Sequence, residues 1–407
     1  MITKNVLGNK KEDFVLRKSA ILFGSPELLH MQRFITLLLS EEDGFDELVV
    51  FNISETQKLS ERDIAFYKNR GVKILCCEPK KYTNRLLRGV LNYIKRKHFL
   101  KQYLRKHNAF DYCFIHYCAW QNVLWVAATK RAYKQIVPVF YGGDVLRNKR
   151  LGTPIYRRFL DIASHIVLPN ENSYRVFQEK TNGRYTEKVY SIQFPSGACE
   201  RMLARKDAIL SEEARIFFGI PQTGRIVLCG HTATRAEQYE KMIDELEKCK
   251  CETVKNCCFV FFMTYGHSDY RAYQEEIEER LKGSKLRYVI LKEFVAQEDM
   301  VKLHYASDIH ITTIKTDGFS CFFQEEMLAG NVVIYGKWLN YFEIENEDCF
   351  AFPLNSFEDI SGVLDDVVAN YEIYAKKSAI NISGLIDMVS DEAVRKDWKI
   401  KVFSGND

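Results

Sequence analysis

The sequence predicts an α/β protein of two doubly wound, Rossmann-like domains facing across a cleft. Three observations carry that expectation. Short β-branched or apolar runs alternate with longer segments of helical spacing, the alternation restarts near residue 200, and 407 residues, 46% of them apolar, suffice for two cores.

The first series of strands reads "AILFG", "ELVVFN", "VKILCC", "YCFIH", "IVPVFY" and "HIVLP", separated by helical patterns such as "SPELLHMQRFITLLLSEE". After "KVYSIQFPSGAC" the series resumes with "RIVLCG", "CCFVFFMTYG", "RYVILKEF", "DIHITTI" and "NVVIYG". Strands that are apolar throughout suit a parallel sheet covered on both faces. Pro195 and Gly197 break the chain before a charged helix start, so the domains are expected at 1–200 and 201–387. The segment 388–407 contains "DEAVRKDWKIKVF", an amphipathic helix carrying Val394, Trp398, Ile400 and Val402 that is expected to fold back onto the first domain.

A net charge of +4 over this length does not imply a polyanion partner. The amino terminus lacks the apolar core of a secretory leader and no apolar run is long enough to span a bilayer, so a cytoplasmic protein is expected. The twelve cysteines are scattered, several within strand-like runs, and are expected to be reduced and buried. "CKCETVKNCC" has no CxxC knuckle, and Cys257 and Cys258 would point to opposite faces of a strand, so zinc is not expected there. Neither GxGxxG after a strand nor GxxxxGK[ST] occurs, and no Asp-x-Asp pair is present, so no nucleotide cofactor or resident metal is expected.

The informative stretch is "TDGFSCFFQEEMLAGNVVIYG", in which Asp317 and Glu325 are separated by seven residues. It follows the strand "DIHITTI" and leads into a helix ending near Gly330. "TDGFS" then occupies a strand-to-helix turn, where backbone N–H groups and the positive helix end suit a diphosphate, and Gly318 lets the chain approach it.

The segment "YASDIHITTIKTDGFSCFFQEEMLAGNVVI" resembles the nucleotide-binding signature of retaining glycosyltransferases of GT-B architecture, the family four-like group that includes bacterial surface-polysaccharide enzymes. The resemblance extends to "ARIFFGIPQTGRIVLCG" and to the base-binding loop in "LKEFVAQEDMVKLHYASD", covering about 211–336. It implies that Glu325 binds the ribose hydroxyls, that Asp317 contacts the transferred sugar, and that the amides of Gly318, Phe319 and Ser320 cradle the diphosphate. The first acid is usually Glu, so Asp317 is a shorter substitute. Beyond Gly230 the usual Arg and Lys are missing from "GHTATRAEQY", leaving Arg235 and Lys315 as the basic candidates. In the first domain "VPVFYGGDVLR" resembles the family's strand and turn, with Tyr141 where many members place a sugar-contacting His. Asp144 in that turn and His116 at the end of "DYCFIH" join Asp317 as the catalytic candidates, and Gly24 after the first strand and Gly230 after "RIVLC" complete the donor-binding ones.

From Lys80 to His107 the chain has ten Lys or Arg and no acid, with Leu87, Val90, Leu91, Ile94 and Leu104 at helical spacing. This reads either as a core-packed helix with a solvated basic face or as an element for an anionic membrane surface, which would suit a lipid-linked acceptor. No nucleic-acid module accompanies it, and no nucleic-acid partner is expected. The resemblance thus implies a hexosyltransferase-type enzyme, metal-independent, moving a sugar from a nucleotide-sugar donor to a saccharide or polyprenyl-linked saccharide acceptor, with retention. Two alternatives stand beside it. "QEEMLAG" is similar to a nucleotide-sugar 2-epimerase signature, although the spacing to Asp317 differs, and the missing basic pair would suit a non-catalytic sugar-binding partner.

Overall fold

The computed structural model describes residues 18–39, 44–54, 59–77, 85–206, 208–266, 269–346 and 349–404. The leader expectation, which concerns residues before 18, lies outside them. Strands β1 (Lys18–Gly24), β2 (Phe45–Asn52), β3 (Lys73–Leu75), β4 (Phe110–His116), β5 (Tyr133–Val139), β6 (Ile166–Leu168) and β7 (Val189–Ser191) form one sheet in the order β3-β2-β1-β4-β5-β6-β7. Strands β8 (Ile226–Cys229), β9 (Cys258–Phe262), β10 (Tyr288–Leu291), β11 (Ile309–Thr312), β12 (Val332–Gly336) and β13 (Phe352–Leu354) form a second, β10-β9-β8-β11-β12-β13. The strand pairs described in each sheet are parallel, and in both sheets the order reverses beside the first strand. That reversal is where a doubly wound sheet opens a crevice beyond its strand carboxyl ends. The two-sheet α/β expectation is met; β7 and β13, three residues each, are the strands outside the runs read from the sequence.

By compactness the chain divides into residues 1–116 with 124–137, and 117–123 with 138–407. In the first unit Ala20, Ile21, Leu22 and Phe23 of β1 are fully buried. Helix Glu61–Lys68 begins on a capping box in which Ser60 and Asp63 satisfy each other's amides. Gly24 ends β1, and a side chain there would collide with Met31, so in this structure the glycine serves helix-to-strand packing.

Helix Arg85–Leu104 is turned differently from what its apolar spacing suggests. Asn92 and Arg96 are buried with Leu100 and Leu104, whereas Val90, Leu91 and Ile94 are 58%, 39% and 54% exposed. The physical reason is Arg96. Its guanidinium donates to the carbonyls of Ile53 (2.9 Å) and Ser54 (2.6 Å), which cap the end of β2, and Tyr93 stacks on Trp125 beside it. The side chains of residues 80–88, Leu87 among them, lie outside the described ones.

In the second unit β8, β9, β11 and β12 are buried along their whole length. Alternate residues supply opposite cores: Val227, Phe259, Phe261 and Ile311 pack with Tyr239 and Ile243, while Leu228, Val260 and Phe262 pack with Phe322 and Leu303. Cys257 and Cys258 fall in these two opposite cores, and all twelve cysteines are free thiols. Toward the carboxyl end, Val394, Trp398 and Val402 are buried and Ile400 is exposed, and Lys401 Nζ donates to the Ser191 carbonyl of β7 at 3.3 Å.

Gly230, just beyond β8, has φ +61°, and a Cβ on it would meet the ring of Tyr239. Gly219 has φ +64° with open space around it. Gly219→Ala is expected to cost about 1 kcal/mol for the left-handed backbone alone. Gly230→Ala should add about 1–3 kcal/mol of overpacking to that. Urea unfolding of the two variants measures the difference, and equal losses would contradict the Tyr239 clash.

Candidate active site

The carboxyl ends of β8 and β11 send out two loops, 230–238 and 313–320, that are stitched together. The Lys315 amide donates to the Ala236 carbonyl at 2.8 Å, Gln238 Nε2 to the Thr313 carbonyl at 2.9 Å, and Thr313 Oγ1 to the Glu237 carbonyl at 3.1 Å. Beneath them Glu237 is fully buried. Its Oε1 accepts from Thr232 Oγ1 (2.9 Å) and the His231 amide (3.3 Å), and Oε2 has no partner among the described residues. Burial pushes this carboxyl up against the opposing pull of His231 and Thr232.

Asp317 opens the turn into helix Cys321–Leu328. Its Oδ2 accepts from the Ser320 amide at 2.8 Å and from Tyr341 OH at 2.5 Å. Phe319 has φ +59°, uncommon for a bulky residue, and is held there by burial against Phe323 and Tyr341. Of the three amides expected to cradle a diphosphate, that of Ser320 is therefore already bonded to Asp317. The helix start itself is uncapped: Ser320 Oγ is buried without a partner, and the amides of Cys321, Phe322 and Phe323 have no carbonyl within the helix to bond. From Phe322 to Leu328 every residue is buried.

Glu325 sits in this helix among cations. Arg201 Nη2, from helix Ala198–Arg205, donates to Oε1 at 2.7 Å, and His304 Nε2, from helix Gln297–Ala306, lies 3.2 Å from Oε2. Burial alone would raise the Glu325 carboxyl, but His304 and Arg201 outweigh it and hold it below the ordinary range. The other ring nitrogen of His304 meets Glu326, which also accepts from Asn331 Nδ2 at 2.6 Å. Burial would lower His304; Glu326 and Glu325 together overcome that and raise it to about 9.

The turn 141–144 approaches the same place within the second unit. Gly142, at φ +83°, would carry a Cβ 3.5 Å from Gly318 Cα and 3.8 Å from Ser173 Oγ, and a Cβ on Gly318 would lie 3.7 Å from Asn170 Nδ2. A Cβ would stand at van der Waals distance there, so it is the left-handed backbone of Gly142 that favours glycine. Asp144 closes the turn: Oδ1 accepts from the Tyr141 amide (2.7 Å) and Oδ2 from the Cys118 amide (3.2 Å). Both oxygens hold backbone. Tyr141 stacks on Tyr117 at 4.6 Å and leans on Phe194.

The structure thus brings together Asp317, Gly318, Phe319, Ser320, Glu325, Lys315 and Gly230, with Asp144 holding the turn that meets Gly318. Arg235 lies in the loop before helix Tyr239–Leu246, half exposed. It is engaged by Glu276 at 2.6 Å, with Glu240 and Asp269 nearby and Tyr273 under its guanidinium. Lys315 is exposed and makes no ion pair among the described residues, which leaves it the available cation next to Asp317. Gly24 and His116 belong to the first unit. There His116 is buried edge-on to Phe34 at 4.5 Å, and burial, then His30, push its pKa down to about 3, so the ring is neutral. Arg201, His304 and Tyr341 lie in other helices or loops than Glu325 and were not picked out from the sequence, and Glu326, beside Glu325 in the same helix, was given no role. The doubled acid Glu325-Glu326 was their one local signal. Among the described residues no cluster of three or more His, Cys, Asp or Glu is placed to hold a metal ion. No helix there is long and apolar enough to cross a membrane.

No family model matches the sequence, and no curated protein matches it either. Solved structures do match in fold. The chain is similar to a glycosyltransferase from Rickettsia africae (15% identity, TM-score 0.69, covering 96% of this chain and 100% of that one). It is similar to HepE of Anabaena in complex with UDP (13%, TM-score 0.70, 95% and 100%). It also matches the N-terminal domain of trehalose-6-phosphate phosphatase of Candida albicans (10%, TM-score 0.68, 99% and 100%). At such identities the likeness establishes architecture, and that architecture is GT-B.

Asp144 gives the site a titration that can be read directly. Burial raises its pKa from 3.8 to about 6, against the opposing hydrogen bonds from Tyr141 and Cys118. Since the folded value is the higher one, the associated stability is complete below about pH 3.8 and is lost as the pH rises through 6. Carboxyl 13C NMR should show one aspartate titrating near pH 6 that is missing from Asp144→Asn; an ordinary value for Asp144 would refute the burial argument.

Proposed function

We propose that the protein is a glycosyltransferase of the hexosyltransferase type, moving a sugar from a nucleotide-sugar donor to a saccharide or polyprenyl-linked saccharide acceptor. The observation that carries this reading is the turn Asp317–Ser320. It sits at the switch between β8 and β11 and starts a buried, uncapped helix in which Glu325 is kept as a hydrogen-bond acceptor. Carboxylates of this kind suit hydroxyl donors, and the helix start suits a diphosphate. The complexes of HepE with UDP and with UDP-glucose support a nucleotide sugar as the donor class.

In this reading Glu325 takes the ribose hydroxyls, the amides of Gly318 and Phe319 with the first helical turn take the diphosphate, and Asp317 takes a hydroxyl of the transferred sugar. Lys315 adds the positive charge. Retention, which rests on the resemblance alone, implies a front-face displacement. The bond from the anomeric carbon to the diphosphate oxygen breaks, the acceptor oxygen bonds that carbon on the same face, and the acceptor's proton passes to the leaving phosphate. No metal is assigned a part in this scheme, and the charge is met by amides and Lys315.

Helix Arg85–Leu104 supplies the acceptor side of the proposal. Val90, Leu91 and Ile94 project from it, accompanied by exposed or half-exposed Lys95, Lys97, Lys101, Arg105 and Lys106. An apolar ridge set among cations fits an anionic bilayer surface, where lipid-linked saccharides are found, in bacterial surface-polysaccharide synthesis.

Two measurements test the reading. Among UDP-, ADP-, GDP-, CDP- and dTDP-sugars at about 100 times the dissociation constant, one class should stabilise the protein by about 2.7 kcal/mol. Asp317→Asn and Glu325→Gln should each lower transfer or donor hydrolysis about 100-fold or more. If no nucleotide sugar shifts the melting temperature, the donor site is wrongly placed. Separately, flotation with phosphatidylserine-containing vesicles should recover the protein and phosphatidylcholine vesicles should not. Val90→Asp with Ile94→Asp should release it, since each buried aliphatic side chain contributes about 1.5–3 kcal/mol; equal binding to both vesicles would remove the membrane proposal.

A further inference from the structure

Behind Glu325 stands a buried layer that the donor signature does not require. His304 and Glu326 are both fully inaccessible, paired to each other, and fastened by Asn331, whose side-chain amide donates to Glu326 Oε2 at 2.6 Å and to the His304 carbonyl at 2.8 Å. Two ionised partners deep in a protein are expensive, and an apolar pair of the same volume would commonly be as stable or more so. The arrangement is thus poorly explained by stability. It is well explained by what it touches, because His304 Nε2 is directed at Glu325 Oε2.

We propose that His304 is a positioning residue for Glu325. Held from behind by Glu326 and Asn331, it fixes the Glu325 carboxylate, together with Arg201, in the orientation that accepts two hydroxyls of a ribose. The inference rests on the proposed donor site and deepens it by naming what enforces recognition of the ribose 2′-hydroxyl. A carboxylate has about four acceptor positions, and Arg201 and His304 fill one on each oxygen. The remaining two lie in the same plane and suit vicinal hydroxyls. With His304 as imidazolium the quartet of Arg201, His304, Glu325 and Glu326 is charge-neutral; with a neutral ring it carries one uncompensated negative charge in a buried layer. The groups around His304 are Glu325 and Glu326 on the helix beside it, Arg201 across Glu325, Phe322 edge-on at 4.8 Å, and His310 and His231 farther off on β11 and in the loop after β8. His304 also sits in the last turn of its own helix, where the dipole favours a cation.

The test compares UDP, ADP, GDP and CDP with their 2′-deoxy counterparts by calorimetric titration of the full chain. The wild type should bind the ribose form of its preferred nucleotide about 10-fold or more tightly, and Glu325→Gln should bring that ratio near 1. The double variant His304→Leu/Glu326→Leu keeps the layer apolar and leaves Glu325 in place. It should also bring the ratio near 1 while the 2′-deoxy nucleotide binds within about 3-fold of wild type. His304→Gln, which keeps a donor toward Glu325, should retain an intermediate ratio and serves if the double variant does not fold. In the wild type the ratio should hold to about pH 8 and fall as the pH passes about 9, and Glu326→Gln should move that midpoint lower. A double variant with an unchanged ratio, beside a Glu325→Gln that loses it, overturns the role of His304 and leaves the donor site standing. Absence of nucleoside diphosphate binding in the wild type overturns both.

Discussion

The parallel pairing of β8 with β11, Val227 against Ile309 and Cys229 against Ile311, lays two outgoing loops side by side at the centre of the six-stranded sheet. The two loops that carry Glu237, Lys315 and Asp317 are hung from that pairing. Gly230 donates its amide to Ile311, turns left-handed to clear Tyr239, and so delivers the chain to His231 and Glu237. Across from it β11 delivers Thr313 and Lys315, whose bonds to the first loop fix where Asp317 begins its turn. A central strand pair buried on both faces is among the stiffest parts of such a fold. The loops inherit that rigidity through the bonds of Lys315, Gln238 and Thr313 between them and through the packing of Phe319.

On that frame the site collects features that stability alone would reject. Phe319 adopts a left-handed backbone, Glu237 has an oxygen buried without a partner, and Arg201 and His304 gather with Glu325 and Glu326, four ionisable side chains in one largely buried layer. Strain of order 1–3 kcal/mol at a residue and several kcal/mol for a buried charge are affordable only in a domain with a large core. The two apolar faces of the six-stranded sheet supply it. Removal of one partner from the layer would leave a charge buried without compensation, which is why a paired apolar replacement is the informative perturbation of His304.

The sequence was legible where a feature is periodic or local. Eleven of the thirteen strands lie in the runs read as strands from their apolar or β-branched character, and the Asp317-to-Glu325 spacing marked the strand-to-helix turn correctly as the start of a buried helix. What stayed hidden depends on long-range pairing. Arg201 lies 124 residues from Glu325, and nothing in "ACERML" distinguishes it from a surface arginine. Arg235 looked like the natural phosphate partner by position, yet Glu276, 41 residues away, claims it. The helix Arg85–Leu104 shows the same limit from another side. Helical spacing reveals a stripe of Val90, Leu91 and Ile94 but not which way it turns, and the open carbonyls of Ile53 and Ser54 drew Arg96 inward instead.

The short acid at position 317 has its own logic. An aspartate reaches back to the amide three residues on, and Asp317 does so through Oδ2 while also accepting from Tyr341. A glutamate, one methylene longer, would place its carboxyl beyond that amide and free the turn. The structure therefore exchanges outward reach for a fixed Ser320, and one oxygen, Oδ1, remains without a hydrogen bond among the described residues. Shorter reach requires the sugar to come nearer, and the surroundings allow it. Gly318 follows the acid, Gly142 lies beside it so that a Cβ on either would stand 3.5 or 3.7 Å from the other's Cα, and Asp144 holds that second glycine in place by binding the amides of Tyr141 and Cys118. On the proposed reading, Asp144 acts on the sugar through the backbone it positions, and the pair of glycines sets how closely a sugar can approach Asp317.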